Sequence, residues 1–524
     1  MAPTQKVTYT STNVDLDEFH RAFDGALKRL RATLGKTYPL YIGGQAVEGS
    51  GGGAPIVDTS PIDTQLVLGT FAAAGPEQID QAVASARAAQ KAWARKPWRE
   101  RLAILRRAAA IIRERKFDLA ATMSLEVGKS RLEAMGDAEE SADLIDYYAQ
   151  QVEDAGGFVR PMAQMTPIER NTDVLRPYGV FACIAPFNFP LALSTGMSSA
   201  ALMVGNAVVY KPAVDTPLTG LGLYEVYRDA GVPAGVFQFV SGHGAGMGDA
   251  LWKHPGVDGI VFTGSKQVGL RIYQGISARY VKPCLLELGG KNATIVMDSA
   301  DIDAAAEGVM RSAFSLQNQK CSATSRVYVH QPVAQPFLAA LQEKLLTIKM
   351  GDPTEKDVYF GPVINAKAVA RWEAAVGQAR NEGTILTGGA RLTGGVFDKG
   401  HFVAPTIATL PLESSLFFEE LFVPFLAVGE VHGLDEAIAE SNKAEYGLTA
   451  GLFSRNQDEI DRFFDEIEAG VCYVNKRSGA TTGAWPGAQP FTGWKGSGST
   501  GKGGCGPYYV QQFVREQSRT VVEG

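Results

Sequence analysis

The sequence predicts an open α/β fold built on parallel strands, and two observations carry that prediction. From residue 179 onward, apolar runs of strand length alternate with segments of helical pattern. A second set of the same alternation begins at 292. Strand–helix–strand repeats of this kind make parallel βαβ units. In chain order, residues 15–34 place Phe19, Ala22, Phe23, Leu27 and Leu30 at helical spacing. Residues 39–46 read as a strand and turn. Residues 76–125 and 130–154 read as helices that pack around a sheet and carry no evident chemistry. Then come strands at 180–186, 207–212, 236–242 and 259–265, with helices at 190–203, 216–230, near 246–253 and from Lys266. The second set places strands at 292–297 and 325–330 and helices at 301–315 and 333–348. The stretch 483–506 is Gly-rich and reads as loop, and its continuation YYVQQFVRE as a strand or short helix.

Composition narrows the function classes. A chain of 524 residues buries a large core without staples. Its 50 basic and 56 acidic residues leave a net charge of −6, which argues against nucleic acid as a partner. Glycine, at 58 residues, exceeds the usual ~7%, so tight turns and close backbone approaches are expected. The five cysteines (Cys183, Cys284, Cys321, Cys472 and Cys505) are odd in number and widely spaced. With no CxxC or Cys/His pattern, neither a metal site nor a disulfide framework is expected. Residues 1–11 lack an apolar core and do not read as a signal peptide. The most apolar stretch, 179–210, is interrupted by Pro186, Asn188 and Pro190, so no membrane span is expected. A cytoplasmic location follows as an expectation.

Four segments carry candidate chemistry, and each alone leaves two readings open. Cys321, in QNQKCSA, is either a buried structural thiol or one activated at the end of a helical element. Glu287, in LLELGGKN, is either a general base in apolar surroundings or the salt-bridge partner of Lys291. Asn188, in APFNFP, is either an oxyanion donor or a turn residue. Gly264 and Ser265, in FTGSKQVG, lie where a strand gives way to a helix whose N-terminus suits a phosphate.

Taken in order, PFNFP, VVYKP, FTGS, ELGGK and QKC resemble the aldehyde dehydrogenase superfamily over roughly residues 38–520, and EELFVP (419–424) and QPFTGWKGSG (489–498) extend the likeness. The resemblance implies the aldehyde dehydrogenase fold. A Rossmann-like cofactor domain would come from residues 1–155 and 177–286, and an α/β catalytic domain from 287–490. A small β oligomerisation hairpin at 156–176, with 491–524, would bridge subunits of a homodimer or higher homo-oligomer. It further implies Cys321 as nucleophile, Asn188 and the Cys321 N–H as oxyanion donors, and Glu287 as the base that activates water. Presence of Glu287 implies a free acid as product. For the cofactor, NAD or NADP, it implies Lys211, Gly264, Ser265, Leu288, Glu420 and Phe422. NAD-specific relatives often carry Glu three residues after the Lys; here Val214 stands there, which removes a repulsion against a 2′-phosphate.

Within the superfamily, YPLYIGG (38–44), SLEVGK (124–129), QKCSA (319–323) and TTGAWPGAQPF (481–491) most resemble the branch that oxidises L-glutamate γ-semialdehyde, the open form of 1-pyrroline-5-carboxylate, in proline catabolism. That implies Ser322, Gly483 and Ala484 at the substrate carboxylate, Phe189 and Phe491 about its aliphatic chain, and Glu126 toward its α-ammonium. Departures from the pattern are Ser194, Asn318, Val423, Thr492, about three extra residues within 476–481, and a one-residue shift in 501–509. Another semialdehyde or an aromatic aldehyde is the alternative substrate, and a non-catalytic protein of the same fold the remaining one.

Overall fold

In a computed structural model, Thr8, residues 16–278 and residues 280–523 are described. The N-terminal segment read above for a targeting signal, and Asp15 of the first helix, lie outside these residues apart from Thr8. Two seven-stranded sheets organise the chain. The first runs in the order Cys284–Glu287, Gly259–Thr263, Val180–Ile184, Ala207–Lys211, Phe237–Phe239, Leu40–Ile42, Gln45–Val47. Its first five strands are parallel, and the last two are added by antiparallel pairings, so that Leu40–Ile42 alone runs against the rest. Alternate residues of one strand leave for opposite faces. Phe181 and Cys183 join the core under the helices Trp98–Glu114, Arg131–Asp154 and Ala192–Met203, while Val180, Ala182 and Ile184 join the core under Pro76–Arg95. Burial on both faces is why the strand sequence VFACI is apolar throughout.

The parallel part of this sheet starts at Val180–Ile184, builds outward to Phe237–Phe239, then returns to lay Gly259–Thr263 on the other side. The reversal opens a crevice at the carboxyl ends of those two strands, the usual ligand position in open α/β sheets. Asn188 follows one strand and Gly264-Ser265 the other.

The second sheet runs Thr384–Thr387, Thr406–Thr409, Phe425–Val431, Thr324–His330, Asn292–Val296, Thr449–Phe453, Val471–Val474, parallel except at its first strand. A third, small sheet pairs Val159–Pro161 with Glu169–Pro177, and Glu169–Pro177 with the C-terminal strand Val514–Val522 over nine residue pairs. The C-terminal tail therefore docks on the hairpin of its own chain.

Two local expectations are corrected and a third is resolved. The continuous helical pattern over 76–125 divides into Pro76–Arg95, Trp98–Glu114 and Lys116–Val127. Pro97 cannot continue the first helix and disfavours helical geometry at Lys96, whose ψ is 132°. Near 246–253 the α-helix proper is only Asp249–Lys253, because the glycine-rich Gly244–Gly248 forms a wider turn before it. The final YYVQQFVRE segment is both things expected of it in succession, a short helical turn at Val510–Phe513 and then the strand. Among the described residues no helix is long and apolar enough to cross a membrane.

Candidate active site

Cys321 lies in a turn between the helical turn Ser315–Asn318 and the strand Thr324–His330. Three successive residues before it, Leu316, Gln317 and Asn318, have left-handed backbones, with φ of 46°, 55° and 60°. This accounts for Asn318. Asn tolerates the left-handed region better than other residues with a Cβ. Its side-chain amide donates to Ala313 O and Thr324 O, both at 2.8 Å, and so ties the two ends of the loop together. Asn292, which the sequence reading did not single out, supports the loop from below. Its amide donates to Cys321 O at 2.7 Å and Ala323 O at 2.9 Å, and its oxygen accepts from Thr449 N at 3.0 Å. Thr481 Oγ1 donates to Ser322 O at 2.6 Å.

Asn188 points at this loop. Its Nδ2 donates to Gln319 O at 2.9 Å, two residues before Cys321. An amide nitrogen has a second hydrogen, which leaves a donor for an oxygen formed beside the thiol. Burial pushes the Cys321 thiol up to about 12, and the carboxyls of Glu420 and Glu287 add to the effect. Glu287 closes the strand Cys284–Glu287, and its carboxyl is raised well above the usual range by burial. The salt bridge to Lys291 does not form: Glu287 Oε2 and Lys291 Nζ are both buried without a hydrogen-bond partner. Of the two readings of Glu287, the one in apolar surroundings matches the geometry.

A cavity of about 300 Å³ brings Cys321, Glu287 and Leu288 together with Ser322, Gly483, Ala484, Phe189 and Phe491. Gly483 has φ 98°, a conformation that turns the loop back toward the thiol. Glu126 does not belong there, and the expectation that it faces the substrate is overturned. It is fully buried, and its carboxylate accepts from Leu218 N at 2.6 Å, Thr219 N at 3.0 Å and the Thr219 hydroxyl, at the start of the helix Pro217–Ala230. A helix N-terminus with three donors outcompetes a distant cavity for that carboxylate.

A glutamate that does line the cavity is Glu133. Glu133 Oε1 pairs with Lys320 Nζ at 2.7 Å, Glu133 Oε2 accepts from Leu316 N at 3.0 Å, and Lys320 also donates to Ser315 Oγ at 2.8 Å. Both residues line the cavity. Lys320 stands in the QKCSA motif itself, so adjacency to the nucleophile was the available signal. Glu133 gave none beyond its place in a helix of bland pattern. Cys505 also lines the cavity. It is buried, left-handed at φ 61°, with its N–H on Tyr148 OH at 3.0 Å and its thiol pushed well up by burial. That thiol is a neutral wall atom. Cys183 and Cys284 are buried in strands and Cys472 is half-buried in one, with thiols raised by burial.

The expected cofactor residues sit beside this cavity on the crevice side. Ser265 caps the helix Lys266–Gly275, its hydroxyl accepting from Val268 N. The Gly264 N–H is already spent on Glu287 O at 3.1 Å, so Gly264 contributes close approach rather than a free donor. Leu288 N donates to Ser497 O at 2.8 Å, and its side chain packs on Gly269. Lys211 is buried at the end of its strand, with Nζ donating to Pro212 O at 3.1 Å and its ammonium lowered to about 8 by burial. Glu420 Oε1 accepts from Gly290 N at 2.9 Å, and burial lifts its carboxyl to about 7. A Cβ at Gly289 would fall 2.0 Å from Glu420 Oε2, so only glycine allows this approach. Phe422, at φ 56°, meets Phe187 edge to face at 5.8 Å. A capped helix N-terminus, a buried amine and a carboxylate bonded to a backbone N–H fit a dinucleotide's pyrophosphate and ribose hydroxyls.

The Cys321 loop, the Asn188 amide, the desolvated Glu287 carboxyl and a crevice suited to a dinucleotide together fit an oxidoreductase. The aldehyde dehydrogenase family profile matches residues 47–518, and the chain belongs to that family: it is an NAD(P)-dependent aldehyde dehydrogenase. Among its relatives, the 1-pyrroline-5-carboxylate dehydrogenases of Bacillus pumilus and of a Geobacillus strain are each 36% identical, with 98% of both chains covered. A solved 1-pyrroline-5-carboxylate dehydrogenase from Thermus with bound NAD superposes with a TM-score of 0.92 at 35% identity, covering 100% of this chain and 99% of that one. A 3,6-anhydro-L-galactose dehydrogenase solved with NADP is 33% identical, with a TM-score of 0.87 over 93% of this chain and 100% of that one.

Proposed function

We propose that the chain oxidises L-glutamate γ-semialdehyde, in equilibrium with its cyclic imine 1-pyrroline-5-carboxylate, to L-glutamate with NAD or NADP as acceptor. One observation carries the choice of substrate: the cavity pairs a thiol and two aromatic walls with an ion pair, Lys320–Glu133, at 2.7 Å. A substrate that bears both a carboxylate and an ammonium can open such a pair and satisfy each half. Lys320, Ser322 and the backbone of Gly483 and Ala484 would take the carboxylate, and Glu133 the ammonium. Phe189 and Phe491 would hold the methylenes.

The chemistry follows from the same residues. The Cys321 thiol gives up its proton to water, its sulfur attacks the aldehyde carbon, and the new alkoxide lies against the Asn188 amide and the Cys321 N–H. A bound nicotinamide would supply the acceptor for the hydrogen and electron pair that this carbon loses. Cys321 is left as a thioester. Glu287 takes a proton from water, the water oxygen attacks the thioester, and the Cys321 thiolate leaves as the carboxylic acid forms. Lys211, Gly264 and Ser265 would hold the adenosine ribose and pyrophosphate, and Glu420 with Phe422 the nicotinamide ribose.

We further infer the division of labour stated above for residues 1–155 with 177–286, 287–490, and 156–176 with 491–524. The C-terminal strand Val514–Val522 is exposed along nearly its whole length. An open strand edge of this kind suits pairing with a second copy, and a homodimer or a multiple of it is the assembly expected. A monomeric mass in solution at micromolar protein would contradict it.

Steady-state specificity decides the substrate. The expected result is the highest kcat/KM for glutamate γ-semialdehyde among a panel with succinic semialdehyde, propionaldehyde and benzaldehyde, with all NADH formation lost in Cys321→Ala. A panel in which simple aldehydes are preferred would remove the semialdehyde reading.

A further inference from the structure

The helix Arg131–Asp154 carries Glu133 and Asp137 four residues apart, on one face. Each holds a lysine. Lys320 sits on Glu133 at 2.7 Å, and Lys129 sits on Asp137 at 2.7 Å. Both ammonium groups also lie near one aromatic ring, that of Phe189: Lys320 at 5.9 Å and Lys129 at 3.8 Å from its centroid. The outer pair lines the cavity. The inner pair does not; both its side chains are 0% exposed, behind the wall that Phe189 forms.

The inner pair is also tied to the segment that carries Asn188 and Phe189. Asp137 Oδ1 accepts from Ala192 N at 2.7 Å, in the first turn of the helix Ala192–Met203, and Leu193 N donates back to Phe189 O at 3.2 Å. Lys129 is delivered inward by Gly128, which turns the chain at φ 81° after the helix Lys116–Val127. Burying a lysine and an aspartate costs desolvation that their attraction repays only with good geometry, so such a pair is a poor source of stability. A cation in contact with a ring face and shielded from water does, however, hold that ring strongly.

We propose that Lys129 and Asp137 are positioning residues for substrate binding: together they fix the Phe189 ring as the cavity wall beside Lys320 and Glu133. Neither touches the substrate, and the effect passes through the ring. The inference rests on the semialdehyde reading above. It locates control of substrate KM one layer behind the cavity, in a pair whose side chains do not line it.

A double-mutant cycle tests it. Lys129→Met with Asp137→Asn removes both charges together, and the same change is made in a Phe189→Leu background. KM for glutamate γ-semialdehyde, kcat, KM for NAD and the thermal midpoint are read for each. The expected result is a KM at least about fivefold higher with Phe189 present, kcat and NAD KM within about twofold, and less than about a twofold further change in Phe189→Leu. An unchanged KM, or the same fold-change in both backgrounds, overturns the proposal even if the thermal midpoint falls. Should the charge-free pair fail to fold, Lys129→Arg keeps the ion pair and runs the same cycle. A KM change confined to the Phe189 background supports the proposal, and no change or an equal one overturns it. A wild-type enzyme that does not prefer the semialdehyde over propionaldehyde defeats the substrate reading instead, and the two failures are told apart in the unmutated protein.

Discussion

Replacing Glu287 by Gln isolates the second half of the reaction. Glu287 Oε2 is buried and has no hydrogen-bond partner, so the amide enters a space of the same shape and breaks no bond at that oxygen. What is lost is proton acceptance from water. A positioned general base contributes about 10²–10⁴ in rate, or about 2.7–5.4 kcal/mol at 1.36 kcal/mol per decade. Attack by Cys321 and transfer to the nicotinamide do not need this carboxyl, so they continue. Stopped-flow absorbance at 340 nm should therefore show a burst close to one NADH per subunit, followed by a steady state slower than wild type by that factor. The acylated enzyme should be found by intact mass, heavier by the acyl group on Cys321. Full steady-state turnover without a burst would refute the role of Glu287. Loss of turnover with no burst would show that Glu287 acts before the thioester instead.

The remaining predictions concern specificity, cofactor and pH. Glu133→Gln leaves Lys320 buried without its carboxylate, and breaking such a pair costs about 3–5 kcal/mol; a fall in urea midpoint together with a raised semialdehyde KM is expected. In Glu133→Gln with Lys320→Met the stability should largely return while KM stays high, and a restored KM would contradict the binding role. Val214 puts no negative charge near the adenosine ribose, so NADP should serve at more than about 1% of the NAD efficiency, and Val214→Glu should lower NADP use by repelling the 2′-phosphate; NADP efficiency below that level in the wild type would defeat the argument. Asp58 is buried against Glu126, with Asp215 also near, and its carboxyl is raised well above the ordinary value. The folded chain thus binds a proton that the unfolded chain releases near pH 4. Stability from this group is full at acid pH and falls as pH rises toward the folded pKa, by at most about 1.4 kcal/mol per pH unit. Asp58→Asn should flatten that decline in denaturant titrations between pH 5 and 8 (roughly the window a buried carboxyl spans), and an unchanged slope would remove Asp58 as its source.

Much of the site was legible because its chemistry is written in short segments. Cys321, Glu287, Asn188, Ser322 and Gly483-Ala484 all lie in contiguous motifs whose residue types suit one chemical need each. Glu126 misled for an instructive reason. It stands in the SLEVGK segment that carries the resemblance, but its carboxylate is consumed by the N-terminus of a helix some 90 residues further on, a contact no local pattern encodes. Asn318 was unexplained in the sequence because its meaning is a backbone angle, φ 60°, and two carbonyls that only the folded loop brings within reach.

The sequence by itself determined the alternating strands and helices, the thiol and carboxyl proposed for catalysis, and the family, since apolar periodicity and contiguous motifs are local properties of a chain. Only the tertiary structure decided which carboxylate meets Lys320 in the cavity. Glu133 reaches Lys320 across 187 positions of sequence, and Asp137 anchors Ala192 across 55. Such pairings are chosen by where two helices and a loop come to rest against each other, and burial then decides which charges must find a partner.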